Sequence, residues 1–150
     1  MQARFATFDF GDEAASMQAA AEGRIPEEAY HLWGRIVLDH PGQPTVAVLD
    51  DLSMLGLALC VRVPADIVRA GRAELHLVGS PVEFTFVAKG DAVRLTGSMG
   101  EDATFPRDEL LVALHACGLR LAAFMDKLSV AFPGLAFSSR ALAENLAKAT

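Results

Sequence analysis

Between residues 72 and 97 three short runs alternate apolar with polar side chains, and the run that follows, 106–128, repeats its apolar residues every three or four positions instead. A period of two belongs to strands with one covered face, and a period near 3.6 belongs to a helix with one buried stripe. Ala73, Leu75 and Leu77 alternate with Glu74 and His76; Val82, Phe84 and Phe86 alternate with Glu83 and Thr85; Val93 and Leu95 alternate with Arg94 and Thr96. The turns between them fall at VGSP, 78–81, and at Lys89–Gly90, where glycine can take a positive φ. Matching the apolar faces predicts Leu75 opposite Phe84 and Phe84 opposite Leu95. The polar face then carries the rows Glu74–Thr85–Arg94 and His76–Glu83–Thr96.

In the helical run, Leu110, Leu114, Cys117, Leu121, Phe124 and Leu128 form the stripe, which Leu111, Gly118 and Met125 widen. Pro106 suits a first turn, and Asp108 and Glu109 complement the N-terminal dipole. The two patterns together predict an α+β fold: an antiparallel sheet with a long amphipathic C-terminal helix packed on one face, in a single domain spanning 1–150. The other segments are read as a strand at 3–10, a helix at 12–22 from Asp12 to Gly23, and strands at 29–38 and 45–49 around the HPGQP turn. A helix over 51–62 starts near Asp50 or Asp51. Pro64 opens a second short helix that Gly71 closes, and Ser138 or Ser139 caps a terminal helix at 140–148.

Chemical motifs are missing from this layout. His31, His40, His76 and His115 are scattered, and none has a second ligand at metal spacing, so no metal and no cofactor are expected. His115 and Cys117 stand two apart on a helix and point to different faces. Asp39–His40 and Asp50–Asp51 invite an acid/base reading, but such pairs more commonly mark turns and helix starts. His76 opposite Glu83 is the best polar pair, yet a dyad needs a pocket and a third group. Hydrolase and nucleotide-binding signatures are absent, and catalysis is not expected. Cys60 and Cys117 lie in apolar surroundings and read as buried free thiols.

Charge is what remains. Residues 1–50, 51–100 and 101–150 carry −5, 0 and −1, so nearly all of the net −6 lies in the first third. Asp9, Asp12, Glu13, Glu22, Glu27 and Glu28 gather there with Arg24 as the one base among them. An acidic chain with a pI near 5.1 repels phosphate, which argues against nucleic acid and for a basic protein partner. Tyr30 and Trp33 are the nearest aromatic anchors for such a contact, although both also suit the core. No apolar run is long enough to span a membrane, and the N-terminus lacks the pattern of a secretory signal, so a cytoplasmic location is expected.

In its order of elements the chain resembles the small acidic immunity proteins that bacteria carry beside polymorphic toxins. The resemblance rests on LDDLSMLGLAL, then AGRAELHLVGSPVEFTFVAKGDAVRLTG, then the helix opening PRDELLVALHACG. It implies a non-catalytic protein that binds a basic cognate toxin through the acidic N-terminal surface and occludes it. Two other readings stay open. One is a small-ligand carrier or small enzyme whose pocket lies between sheet and helix, lined by Phe84, Phe86, Phe124 and Met125. The other is a homo-oligomeric subunit.

Overall fold

The structure is a computed structural model that describes residues 5–9, 18, 21–22, 32–130 and 133–148. It has the α+β architecture that the two periodicities predict, with its strands divided between two antiparallel sheets. The first sheet orders β1 (Ala6–Asp9), β2 (Trp33–Leu38) and β3 (Val46–Asp51) side by side. A helical stretch follows, comprising α1 (Leu52–Leu55), a π-helical segment (Gly56–Arg62) and α2 (Val63–Ala70). The second sheet is β4 (Arg72–His76), β5 (Glu83–Lys89), β6 (Ala92–Gly97) and β7 (Asp102–Pro106), in that order. The chain ends in α3 (Arg107–Leu128) and α4 (Leu135–Lys148). The expected helix at 12–22 lies almost wholly outside the described residues, of which Gln18 and Ala21 are helical.

Leu75 does pair with Phe84, but Phe84 pairs with Gly97 and Leu95 with Phe86. The turn explains the two-residue shift. Lys89 still belongs to β5 and pairs with Ala92, so Gly90 and Asp91 form the loop. Gly90 takes φ 61° while no non-glycine residue among the described residues has a positive φ, the combination that a II′ hairpin turn requires. The polar rows therefore run Glu74–Thr85–Thr96 and His76–Glu83, with Arg94 opposite Thr104 on β7. β7 itself is a strand that the sequence pattern does not announce: DATFP is short and abuts the helix directly.

The helical stretch also departs from expectation. Asp51 caps α1 as predicted, accepting from the Ser53 backbone N–H at 3.0 Å and from its hydroxyl at 2.7 Å. The run then continues through Pro64 in place of stopping. Its π turn, in which the Val63 N–H reaches back five residues to the Ala58 carbonyl, widens the helix just where Pro64 lacks an N–H to give. Gly71, at φ 71°, closes α2 as expected. At the C-terminus α4 begins at Leu135, and neither Ser138 nor Ser139 caps it. Ser139 is buried in the helix and donates its hydroxyl to the Ala122 carbonyl at 2.9 Å, tying α4 to α3.

The predicted stripe of α3 is buried throughout, from Leu110 to Leu128. Each large side chain in it contributes about 1.5–3 kcal/mol by leaving water. The helix touches both sheets, through β1 and through β6 and β7, and packs along α4 and the π-helical segment. Phe124 meets Phe8 of β1 with ring centres 5.2 Å apart. At Gly118 the helix is closely approached: a β-carbon there would lie 2.9 Å from Leu146 and 3.0 Å from the β-carbon of Cys60. The buried apolar residues of both sheets and the helices join in one cluster.

Candidate functional site

Three segments distant in sequence converge beside the first sheet: Phe5 at the entry to β1, the turn from Asp39 to Thr45, and the N-terminal half of α3. The turn is self-braced. The Gln43 N–H donates to the His40 carbonyl at 3.1 Å, the Thr45 hydroxyl donates to Asp39 Oδ1 at 3.1 Å, and Gly42 supplies φ 81°. It is also tied to its surroundings, because the Asp39 N–H donates to the Phe5 carbonyl at 2.8 Å and the Thr104 N–H of β7 donates to Gln43 Oε1 at 2.8 Å.

Between turn and helix lies an open cleft of about 820 Å³. Phe5, Ala6, Ala113 and Ala116 give it an apolar floor, and the exposed Val112 adds an apolar wall. Asp39, Asp108 and Glu109 stand on its rim with His40 and Arg120. The His40 ring packs edgewise on Phe5 with centres 5.0 Å apart, and Phe105 lies 6.4 Å away. Its Nε2 stands 2.9 Å from Glu109 Oε2 and its Nδ1 3.1 Å from the Pro41 carbonyl oxygen, so each ring nitrogen faces an acceptor. Arg120 turns its guanidinium onto the Ala6 carbonyl at the outer edge of β1. Asp108 and Glu109 also border a second groove of about 530 Å³, between Val68, the Gly90–Asp91 turn and Leu111.

The residues expected to meet a partner are dispersed or lie beyond description. Asp9 is buried, with Arg35 Nε donating to its Oδ1 at 2.8 Å, which makes it an interior ion-pair partner and not a solvent-facing charge. Glu22 is exposed and accepts from Gln18 at 2.9 Å, one helical turn away. Trp33 is 45% exposed on β2, outside the core. Asp12, Glu13, Glu27, Glu28 and Tyr30 lie outside the described residues. Asp39 and His40, singled out in the sequence, do enter the cleft; Asp108 and Glu109 read there only as helix-start acids. Nothing local in the sequence links residues 5, 40, 109 and 120, so the cleft has no sequence signature.

The remaining candidates resolve into structural roles. Asp50 is buried and accepts the backbone N–H groups of Asp51, Val78 and Gly79 at 2.8, 2.8 and 3.2 Å. His76 and Glu83 pair at 3.1 Å on the open sheet face. Beside them, a hydrogen bond from Arg72, aided by its charge and by His76, holds the Glu74 carboxyl below its ordinary range. Phe84, Phe86, Phe124 and Met125 are fully buried and border neither cleft. Cys60 and Cys117 are free and buried against each other; the hydrogen bond between the thiols, then burial, pushes Cys60 well above the usual thiol range. Among the described residues no group of three potential ligands is placed to hold a metal ion. No protein-family model, no curated protein and no solved structure matches the chain.

Proposed function

We propose that this is a non-catalytic binding protein for a basic protein partner, and that the cleft beside His40 is a docking site for it. The supporting observation is the charge of the rim. Three carboxylates, Asp39, Asp108 and Glu109, face one guanidinium, and Arg120 turns one of its N–H groups onto the Ala6 carbonyl. An apolar floor under an acidic rim suits a lysine or arginine side chain, whose stem is apolar and whose head is charged. The acidic N-terminal segment would extend the same field. Complementary charge of this kind raises association rates more dependably than affinity, and salt weakens it. The resemblance to immunity proteins makes a toxin the proposed class of partner, occlusion the proposed mode and the cytoplasm the proposed compartment. No described helix is long and apolar enough to cross a membrane.

The test is capture of partners from the native cell on the tagged protein, followed by kinetics with Asp108→Lys/Glu109→Lys. The reading expects one basic protein, with association slowed in the variant at low salt. Capture of an acidic partner, or kinetics unchanged by the double reversal, would overturn it.

A further inference from the structure

The chain has two cysteines, and the fold brings them together from distant parts of the sequence. Cys60 lies in the π-helical segment and Cys117 in α3, both buried. Their alignment follows from the glycines of the seam. A β-carbon at Gly56 would lie 2.8 Å from Leu121, and one at Gly118 would lie 3.0 Å from the β-carbon of Cys60. Gly56 is thus level with Leu121, and Cys60, about one turn later, is level with Gly118. The two segments therefore run antiparallel, and Cys60 stands opposite Cys117. The two thiols are hydrogen-bonded to each other. Leu142 and Leu146 of α4 close the seam, 3.0 Å from the Gly56 position and 2.9 Å from the Gly118 position.

A buried cysteine ordinarily serves as a small apolar side chain, and packing alone asks nothing of its sulfur. What sets this pair apart is that each thiol has the other as its neighbour, across a stretch of chain that must close whenever the protein folds. The loop entropy that opposes a disulfide between distant residues is therefore already lost in the native fold, whether the sulfurs are reduced or oxidised. By linkage, a bond formed there stabilises the fold that aligned it. No third cysteine competes, so a single intramolecular pairing exists.

We propose that Cys60 and Cys117 are a disulfide site: when the chain folds in the presence of a low-molecular-weight disulfide such as oxidised glutathione, the two sulfurs join across the seam and staple the π-helical segment to α3. The folded, reduced protein shields both thiols, so oxidation starts on the unfolded or partly folded chain, where they are accessible. One protein thiolate attacks the glutathione disulfide, forms a mixed disulfide and releases a glutathione thiolate. As the two segments come together, the second protein thiol loses its proton, attacks the protein sulfur of the mixed disulfide and releases the other glutathione thiolate. The two glutathione thiolates take up the protons that the cysteines have lost. Two protein thiols are thus oxidised and one glutathione disulfide is reduced to two thiols. The site gives one fold two covalent forms, with free thiols in reducing surroundings and a staple in oxidising ones. It goes beyond the docking reading and depends neither on the cleft nor on a partner.

The experiment unfolds the whole protein in urea and refolds it by dilution, once with dithiothreitol and once with oxidised and reduced glutathione. The proposal expects the second product to be a monomer lighter by two hydrogens, with no thiol for an alkylating reagent to label after denaturation. Its circular dichroism should match that of the reduced protein. Its urea midpoint should lie higher by about 2 M, a difference lost when dithiothreitol is present throughout the titration. Cys117→Ala leaves Cys60 without a second thiol and should show no rise between the two refolding conditions; a rise of the same size there overturns the proposal. Two thiols that label fully after oxidising refolding, disulfide-linked dimers, or glutathione retained as a mixed disulfide each overturn it as well. So does an intramolecular disulfide that lowers the urea midpoint or changes the spectrum, because that bond would lie outside the native seam.

Discussion

The ring of Trp33 rests on the backbone of Gly79: a β-carbon there would stand 2.5 Å from Cη2 and 2.9 Å from Cζ3, with Asp50 Oδ1 at 3.3 Å. This contact joins the first sheet to the β4–β5 loop of the second. It also explains why a half-exposed tryptophan occupies a strand end, since the ring covers Gly79, the loop residue that has no side chain of its own. Trp33 is the chain's one tryptophan, so its fluorescence reports this contact alone. In Gly79→Ala the ring must swing outward, which its 45% exposure permits. The expected result is a red-shifted emission with a stability loss of about 1 kcal/mol. In a Trp33→Ala background the Gly79→Ala change should add almost nothing, and a full additive loss in thermal melts would contradict the contact.

Asp50 fixes the same loop electrostatically. Its buried carboxylate gathers two N–H groups from the loop and one from its own strand, and no other acceptor in the structure serves Val78 or Gly79 among the described residues. Asp50→Ala removes the acceptor and should lower the unfolding free energy by about 2–3 kcal/mol. Asp50→Asn keeps one accepting oxygen and should lose about half as much. Denaturant titration of the three proteins decides this, and equal stabilities for Asn and Ala would show that geometry, not acceptor number, governs the loop.

These contacts show which parts of the fold the sequence carries and which it cannot. Strand faces and the α3 stripe are periodic signals, and periodicity survives without knowing what lies opposite. Register does not survive in the same way. With Lys89 in the turn Leu95 faces Phe84, and with Lys89 in the strand it faces Phe86, because a hairpin's pairing depends on which two residues form its loop. The acids carry the weakest positional signal. Asp9 reads as a surface charge until Arg35, 26 residues away, is found across the β1–β2 pair. Asp108 and Glu109 read as helix-start acids until the 39–45 turn is folded against them. Proximity of that kind is created by topology and leaves no spacing in the chain.

Gly118 tests how tightly α3 is seated. Alanine is the better helix former by about 1 kcal/mol, so an open position would gain stability on Gly118→Ala. Here the new methyl meets Leu146 at 2.9 Å and the Cys60 β-carbon at 3.0 Å, in a fully buried seam. Overpacking of that sort costs about 1–3 kcal/mol, which offsets the propensity gain and leaves a net loss of up to about 2 kcal/mol. Thermal melts of Gly118→Ala and of Gly118→Ala/Leu146→Val measure it, since trimming Leu146 should return part of the loss. A stabilised single variant would mean that the seam is looser than this.

The same seam makes stability depend on alkaline pH. In the folded protein Cys60 is held in its neutral form, first by its hydrogen bond with the Cys117 thiol and then by burial. In the unfolded chain it ionises at an ordinary thiol pKa of about 8.5. Above that pH the unfolded state has released a proton that the folded state retains, so protons bound in the unfolded state fall below those bound in the native state, and stability falls as pH rises. The contribution is intact below the unfolded pKa and is lost from there upward toward the raised folded value. The slope attributable to Cys60 approaches about 1.4 kcal/mol per pH unit at most. Urea unfolding between neutral pH and pH about 10 should show this decline in the native sequence and a shallower one in Cys60→Ala, whose own cavity lowers stability without adding a pH dependence. Parallel curves for the two proteins would remove Cys60 from the account. Thiol labelling gives the independent check: neither Cys60 nor Cys117 should react with an exposed-thiol reagent until the protein unfolds, because both thiols are buried out of its reach.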